Sequence, residues 1–186
     1  GGSLTLVNVH LVLEIPSHAR SEGWTIFETV LAENLRLERC TMTIRNAAED
    51  FSAMYRDISF FHVKSPPGKE FSQTQDPAPM ATRLEIELRN CVVRGEADFL
   101  RGDALYSADI QWENGLLATT ERFVRIDGQT ASLPEDQRLT IDLKHVTAST
   151  EKGLCLMESS SDQRRLTSVQ IDCTDSILMT QNTPLI

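Results

Sequence analysis

The sequence contains no apolar run approaching the roughly 18–20 residues that a membrane-spanning helix needs, and no basic-plus-apolar leader pattern at its start. It has no surplus of cations: 18 Lys plus Arg against 27 Asp plus Glu leave a formal charge of −9. That balance argues against nucleic acid as a partner, because phosphate binding requires the opposite one. Glycine (9) and proline (7) are scarce among the 186 residues, which excludes collagen-like and low-complexity classes. Cys40, Cys91, Cys155 and Cys173 form no CxxC or Cys/His cluster. No metal site is therefore expected, and free thiols packed as small apolar residues are favoured over two disulfides.

Catalytic signatures are missing too. There is no GxGxxG, HRD or DFG, no GxSxG elbow and no adjacent Asp-Asp pair. The acidic groupings Glu49-Asp50, Glu135-Asp136 and Asp172 with Asp175 read as solvated surface or turn caps, and Arg164-Arg165 is a single basic pair. His10, His18, His62 and His145 have no metal-ligand spacing. His62, in Phe60-Phe61-His62-Val63, reads as a packed structural histidine. No catalytic residue and no cofactor are expected.

What is present is a repeat, which has to be sought before any other reading of the fold. An apolar–x–apolar–x–turn pattern recurs at Leu4–Val9, Leu35–Cys40, Ala53–Ile58, Ile86–Cys91, Ile110–Gly115, Ile141–Val146 and Val169–Thr174. Period-two alternation puts Ile86 and Leu88 on one face of a strand and Glu87 and Arg89 on the other. The turn residue is Asn8, Asp57, Asn90, Asn114 or His145 in five copies, residue types that tolerate the left-handed backbone region. Arg39 and Cys173 occupy the turn in the other two and fit that argument less well.

Further strands are expected after most bends: Val9–Ile15, Met42–Ile44, Ser59–Val63, Val92–Arg94, Leu116–Ala118 and Ile177–Thr180. A third set is expected at Trp24–Val30, Ala97–Arg101, Arg122–Ile126 and Gly153–Met157. Short strands with sharp corners and no intervening helix describe an all-β chain, a parallel solenoid of about seven short coils, with a β-sandwich as the alternative. Residues 25–38 also carry a helical pattern, opened by the capping box Thr25-Ile26-Phe27-Glu28. Pro66, Pro67, Gly68, Pro77 and Pro79 mark a long loop at about 64–83, and a second loop is expected at Gln129–Gln137. Residues 1–3 read as a tag or linker and 4–186 as one domain cut from a longer protein.

Leu84–Arg94 with Ala97–Arg101, and Leu139–Ala148, carry a resemblance to the right-handed parallel β-helix of the pectate-lyase-like superfamily, over most of residues 4–180. The repeats also resemble non-catalytic β-helix regions that follow kinase modules in large bacterial Ser/Thr protein kinases. The resemblance implies inward side chains stacked rung on rung and asparagine ladders at the bends. It implies no activity by itself, since fold does not carry function.

The candidate site is geometric. Asp98 and Arg101, then Arg122, Arg125 and Asp127, recur at similar places in the third strands. If those strands stack, their outward residues form a mixed-charge face suited to a carbohydrate or protein ligand. Trp24 is a candidate stacking platform, whereas Trp112 occupies an inward position of the repeat. The reading is a non-catalytic structural or binding module, soluble, and either cytoplasmic or exported as part of its parent. The alternatives are a lyase or hydrolase of acidic polysaccharide and a module that self-associates through the ends or edges of the solenoid.

Overall fold

A computed structural model describes residues 2–16, 23–30, 32–46, 57–64, 83–102, 107–127, 138–158 and 168–181. Every regular element among them is a strand. The chain passes six times through the same course. The passes are β1 (Gly2–Val7), β2 (His10–Glu14) and β3 (Thr25–Thr29); β4 (Ala32–Glu38), β5 (Thr41–Arg45) and β6 (Ser59–Val63); β7 (Leu84–Gly95) and β8 (Asp98–Gly102); β9 (Ala108–Thr119) and β10 (Val124–Ile126); β11 (Arg138–Thr150) and β12 (Cys155–Met157); and β13 (Ser168–Thr174) and β14 (Ile177–Thr180).

Each pass adds to a nine-stranded sheet whose main path is β1-β4-β7-β9-β11-β13. The first five passes then add to a second sheet, β3-β6-β8-β10-β12. All the strand pairs are parallel, so the antiparallel sandwich does not describe this chain.

The bends account for this course. Asn8, Arg39, Asn90, Asn114, His145 and Asp175 have positive φ between 49° and 57°. Pairing on either side aligns them in one column, for Val7 lies beside Glu38, Glu38 beside Arg89, Arg89 beside Glu113, and Lys144 beside Glu113 and Thr174. The side chains bond along the column. Asn114 Nδ2 donates to Asn90 Oδ1 at 2.6 Å and Arg39 Nε to Asn8 Oδ1 at 2.7 Å, while His145 Nε2 lies 3.5 Å from Asp175.

Three expectations change. The last bend is Asp175, two residues beyond Cys173, because a carboxylate side chain suits the left-handed region better than a thiol. Asp57 also has positive φ, at 64°, but it stands ahead of β6 in the second sheet and is no member of the column. Residues 53–56 of the Ala53–Ile58 copy lie outside the described residues, which make six passes rather than seven coils. In place of a helix over 25–38 the chain has β3 and β4 in different sheets, with Ile26, Phe27, Leu35 and Leu37 packed on the core. His18, Glu49-Asp50, Arg164-Arg165 and nearly all of the two expected loops lie outside the described residues.

The interior lies between the sheets. Leu35, Ile86, Ile110 and Ile141 stack strand by strand, as do Leu37, Leu88, Trp112 and Leu143, all essentially without exposure. Burying each such side chain favours folding by about 1.5–3 kcal/mol. Phe27, Phe61, Phe99 and Phe123 form an aromatic column at 4.8–5.4 Å between centroids, and Trp112 stacks on Phe99 at 5.3 Å. The indole fits because Gly115 has no side chain; a Cβ there would overlap the Trp112 ring nitrogen. The four cysteines are free. None of the described elements is a helix able to cross a membrane.

Candidate functional site

Strands β6, β8 and β10 lie side by side in the second sheet. Their register sets Arg101 between His62 and Arg125. Two guanidinium groups on adjacent strands repel, so the arrangement needs carboxylates. Asp127, one residue beyond β10, supplies the first: its Oδ2 accepts from Arg101 Nε at 3.1 Å and its Oδ1 from Arg125 Nε at 2.9 Å. Asp57 supplies the second, accepting from Arg125 Nη1 at 2.8 Å and lying 3.4 Å from Arg101 Nη1. Arg101 Nη1 also donates to the Asp57 carbonyl at 3.2 Å. The cluster thus joins the second, third and fourth passes.

Asp98 opens β8 and is 2% exposed, so it lies beneath the face on which the sequence reading placed it. The reason is the corner that follows β9. The Arg122 backbone N–H donates to Asp98 Oδ1 at 3.0 Å, which turns the carboxylate inward, and Oδ2 is 3.9 Å from Arg125 Nη1. Arg122 contributes its backbone here, while its guanidinium lies 3.9 Å from Glu121. Glu121 in turn accepts from Lys152 Nζ at 2.5 Å. Trp24 is half-buried and packs on the core, and its carbonyl accepts from the Ser59 N–H at 3.0 Å. Sequence reasoning gathered Arg101, Arg125 and Asp127 and missed Asp57, which it took only as a bend. The register of β6 against β8 was the signal needed, and it was hidden by the extra copy counted at Ala53–Ile58.

Burial pushes the Asp98 carboxyl up to about 6, with Glu121 adding to the rise; the Arg122 N–H bond and the Arg125 and Arg122 charges oppose it. Burial works against the Arg125 cation, but Asp127, Asp57 and Asp98 together outweigh it and raise its pKa. A carboxyl whose pKa is higher folded than unfolded favours the folded state most below the unfolded value near 3.8, and this support is lost as pH rises through about 6. Asp98→Asn keeps an acceptor for the Arg122 N–H and removes the ionisation. It is expected to raise stability by about 1–3 kcal/mol at neutral pH and to change it little near pH 4. Urea unfolding at both pH values checks this; a loss of stability at neutral pH would show that the Asp98 charge is a net support.

A second polar surface lies outside the first sheet. A groove of about 500 Å³ follows the bends, lined by Arg36, Glu38, Arg89, Asn90, Glu113, Asn114 and His145. On this face Arg39 Nη1 donates to Glu38 at 2.5 Å, and the other ion pairs are longer: Lys144–Glu113 at 3.5 Å, Arg36–Glu87 at 3.8 Å and Arg89–Glu87 at 4.0 Å. Among the described residues no group of three or more His, Cys, Asp or Glu is placed to hold a metal. No protein-family model, curated protein or solved structure matches the chain.

Proposed function

We propose that the two parallel sheets are faces of one right-handed parallel β-helix, and that the chain is a non-catalytic structural or binding module of a larger bacterial protein. The repeated course through both sheets supports the helix, and connections between parallel strands of one sheet are right-handed in about 98% of cases. The resemblance drawn from the repeats supports the parentage.

The observation that carries the function is the state of the Asp57–Arg101–Arg125–Asp127 cluster. Each guanidinium already meets two carboxylates, at 2.8–3.4 Å. A ligand would have to break these charge-assisted bonds before gaining its own, and bonds of this kind are about twice as strong as neutral ones. The cluster acts as a clamp that holds three passes in register.

One observation favours the enzyme reading: a buried carboxyl with a pKa of about 6 is in the range of a general acid or base. At 2% exposure, however, Asp98 offers a substrate no approach. Incubation of the folded chain with polyuronates and neutral glycans, with and without calcium, should give neither unsaturated product nor new reducing ends. Turnover of either kind that is lost in Asp98→Asn would replace the module reading with the enzymatic one.

A further inference from the structure

The outer face of the first sheet carries an ordered array of charges, of which Glu38 bonds Arg39 at 2.5 Å while Lys144–Glu113, Arg36–Glu87 and Arg89–Glu87 stand 3.5–4.0 Å apart within the chain. Along one row stand Glu38, Arg89, Glu113 and Lys144, on β4, β7, β9 and β11 in turn. Their signs alternate at every strand. The next row inward from the bends is Arg36, Glu87, Gln111 and Asp142, on the same four strands. The two rows hold three cations against four carboxylates, close to balance in a chain whose net charge is −9. The side chains of Arg36, Arg89, Glu113 and Lys144 are 40–52% exposed.

An alternating row of even length is its own complement when read backwards. A two-fold axis parallel to the strands, passing between β7 and β9, reverses strand order and leaves each row facing itself. Glu38 then meets Lys144 of the second copy and Arg89 meets its Glu113, each contact occurring twice. In the other row Arg36 meets Asp142 and Glu87 meets Gln111. The third row gives Glu85 opposite Asp109, and that carboxylate already holds Arg83. A two-fold axis at right angles to the strands would instead set Glu38 on Glu38 and Arg89 on Arg89. The charges therefore select one symmetry and reject the other.

We propose that this face is an isologous interface between two copies of the chain. The groove beside the bends leaves room for the long side chains of the facing copy. This names a partner for the binding reading above, and association tests it while turnover tests that reading. The partner is a second copy because the complementarity lies within one sequence and needs no other molecule. Exposed ion pairs contribute about 0–1 kcal/mol each, so the dimer is weak and salt-sensitive. Alternation also steadies the sheet within one chain. The test accordingly reads association.

Sedimentation velocity over a concentration series reaching about 1 mM, at about 50 mM and about 500 mM salt, provides it. The expected result is a dimer at low salt whose dissociation constant rises at least tenfold at high salt. Glu113→Lys sets a cation opposite Arg89 of the facing copy at both symmetry-related contacts, without touching the core, and should weaken the dimer at least tenfold while circular dichroism stays unchanged. Adding Arg89→Glu restores opposite signs across the axis and should restore the dimer. A wild-type chain that stays monomeric at low salt overturns the proposal. So does a dimer indifferent to Glu113→Lys, which would place association at the sheet edges, and so does a double variant that does not recover.

Discussion

Gly95→Ala is expected to destabilise the chain by at least about 3 kcal/mol, enough to unfold a domain of ordinary stability under mild denaturant. Gly95 closes β7 at φ 141°, outside the range open to residues with a side chain. It lies beside Ile44 of β5, and an added Cβ would overlap the Ile44 carbonyl oxygen and come within 2.8 Å of its carbonyl carbon and nitrogen. Backbone cannot step aside as a side chain can. The neighbouring Glu96 N–H bond to Ile44, at 3.4 Å, and the Asn46 N–H bond to Glu96, at 3.0 Å, would loosen together. Gly2→Ala is the control: nothing stands within 4 Å of its added Cβ, and its melting temperature should match the parent. Equal melting temperatures for Gly95→Ala and the parent would mean that β5 and β7 do not approach so closely.

Arg125→Ala is expected to cost about 2–4 kcal/mol, more than an exposed ion pair is worth. The side chain is 22% exposed, and its guanidinium faces Asp57, Asp98 and Asp127. Removing it leaves Asp57 and Asp127 to Arg101 alone, and Asp98 to Arg122 alone. The cost comes from those uncompensated charges, so it should shrink as Asp98 takes up its proton. A chemical-denaturation series from pH 7 to pH 4 should show the gap between variant and parent narrowing. Asp98 has a pKa of about 6, and losing the Arg125 charge removes one influence that holds it down. A gap constant across that range would assign the loss to packing of the arginine stem rather than to charge.

Both effects rest on features that the sequence shows unequally. Strand pattern and bends were legible because they are local: alternation fixes which residues turn inward, and Asn90 and Asn114 mark the left-handed corners by type. Arg39 was harder to read, since its place at a bend is secured by its bond to Asn8 a whole pass earlier. The partner that stabilises it is 31 residues distant. The same holds for Trp112 and Gly115, whose fit depends on one side chain occupying the space the other lacks.

Three of the four members of the candidate cluster were legible. Arg101, Arg125 and Asp127 follow from stacking the third strands. Asp57 lies 68 residues before Arg125, and only the register of β6 reveals it. Asp98 reads as outward by its charge and its place in the third strand, and the Arg122 N–H at the next corner turns it inward. Charge rows such as Glu38, Arg89, Glu113 and Lys144 become visible only when the bends are aligned. Chain separations between those bends of 24 to 51 residues conceal that order in the linear sequence.

The stacking order is the central claim, and methyl NOEs test it most directly. Ile86, Ile110, Ile141 and Ile171 occupy one interior position on β7, β9, β11 and β13. Neighbouring parallel strands lie about 4.8 Å apart, and strands two apart about twice that. With isoleucine δ1 methyls labelled, the account predicts strong cross-peaks for Ile86–Ile110, Ile110–Ile141 and Ile141–Ile171, with Ile86–Ile141 weak or absent. A strong Ile86–Ile141 cross-peak without the Ile110 pairs would contradict the order β7-β9-β11, and with it the bend column, the clamp and the complementary face.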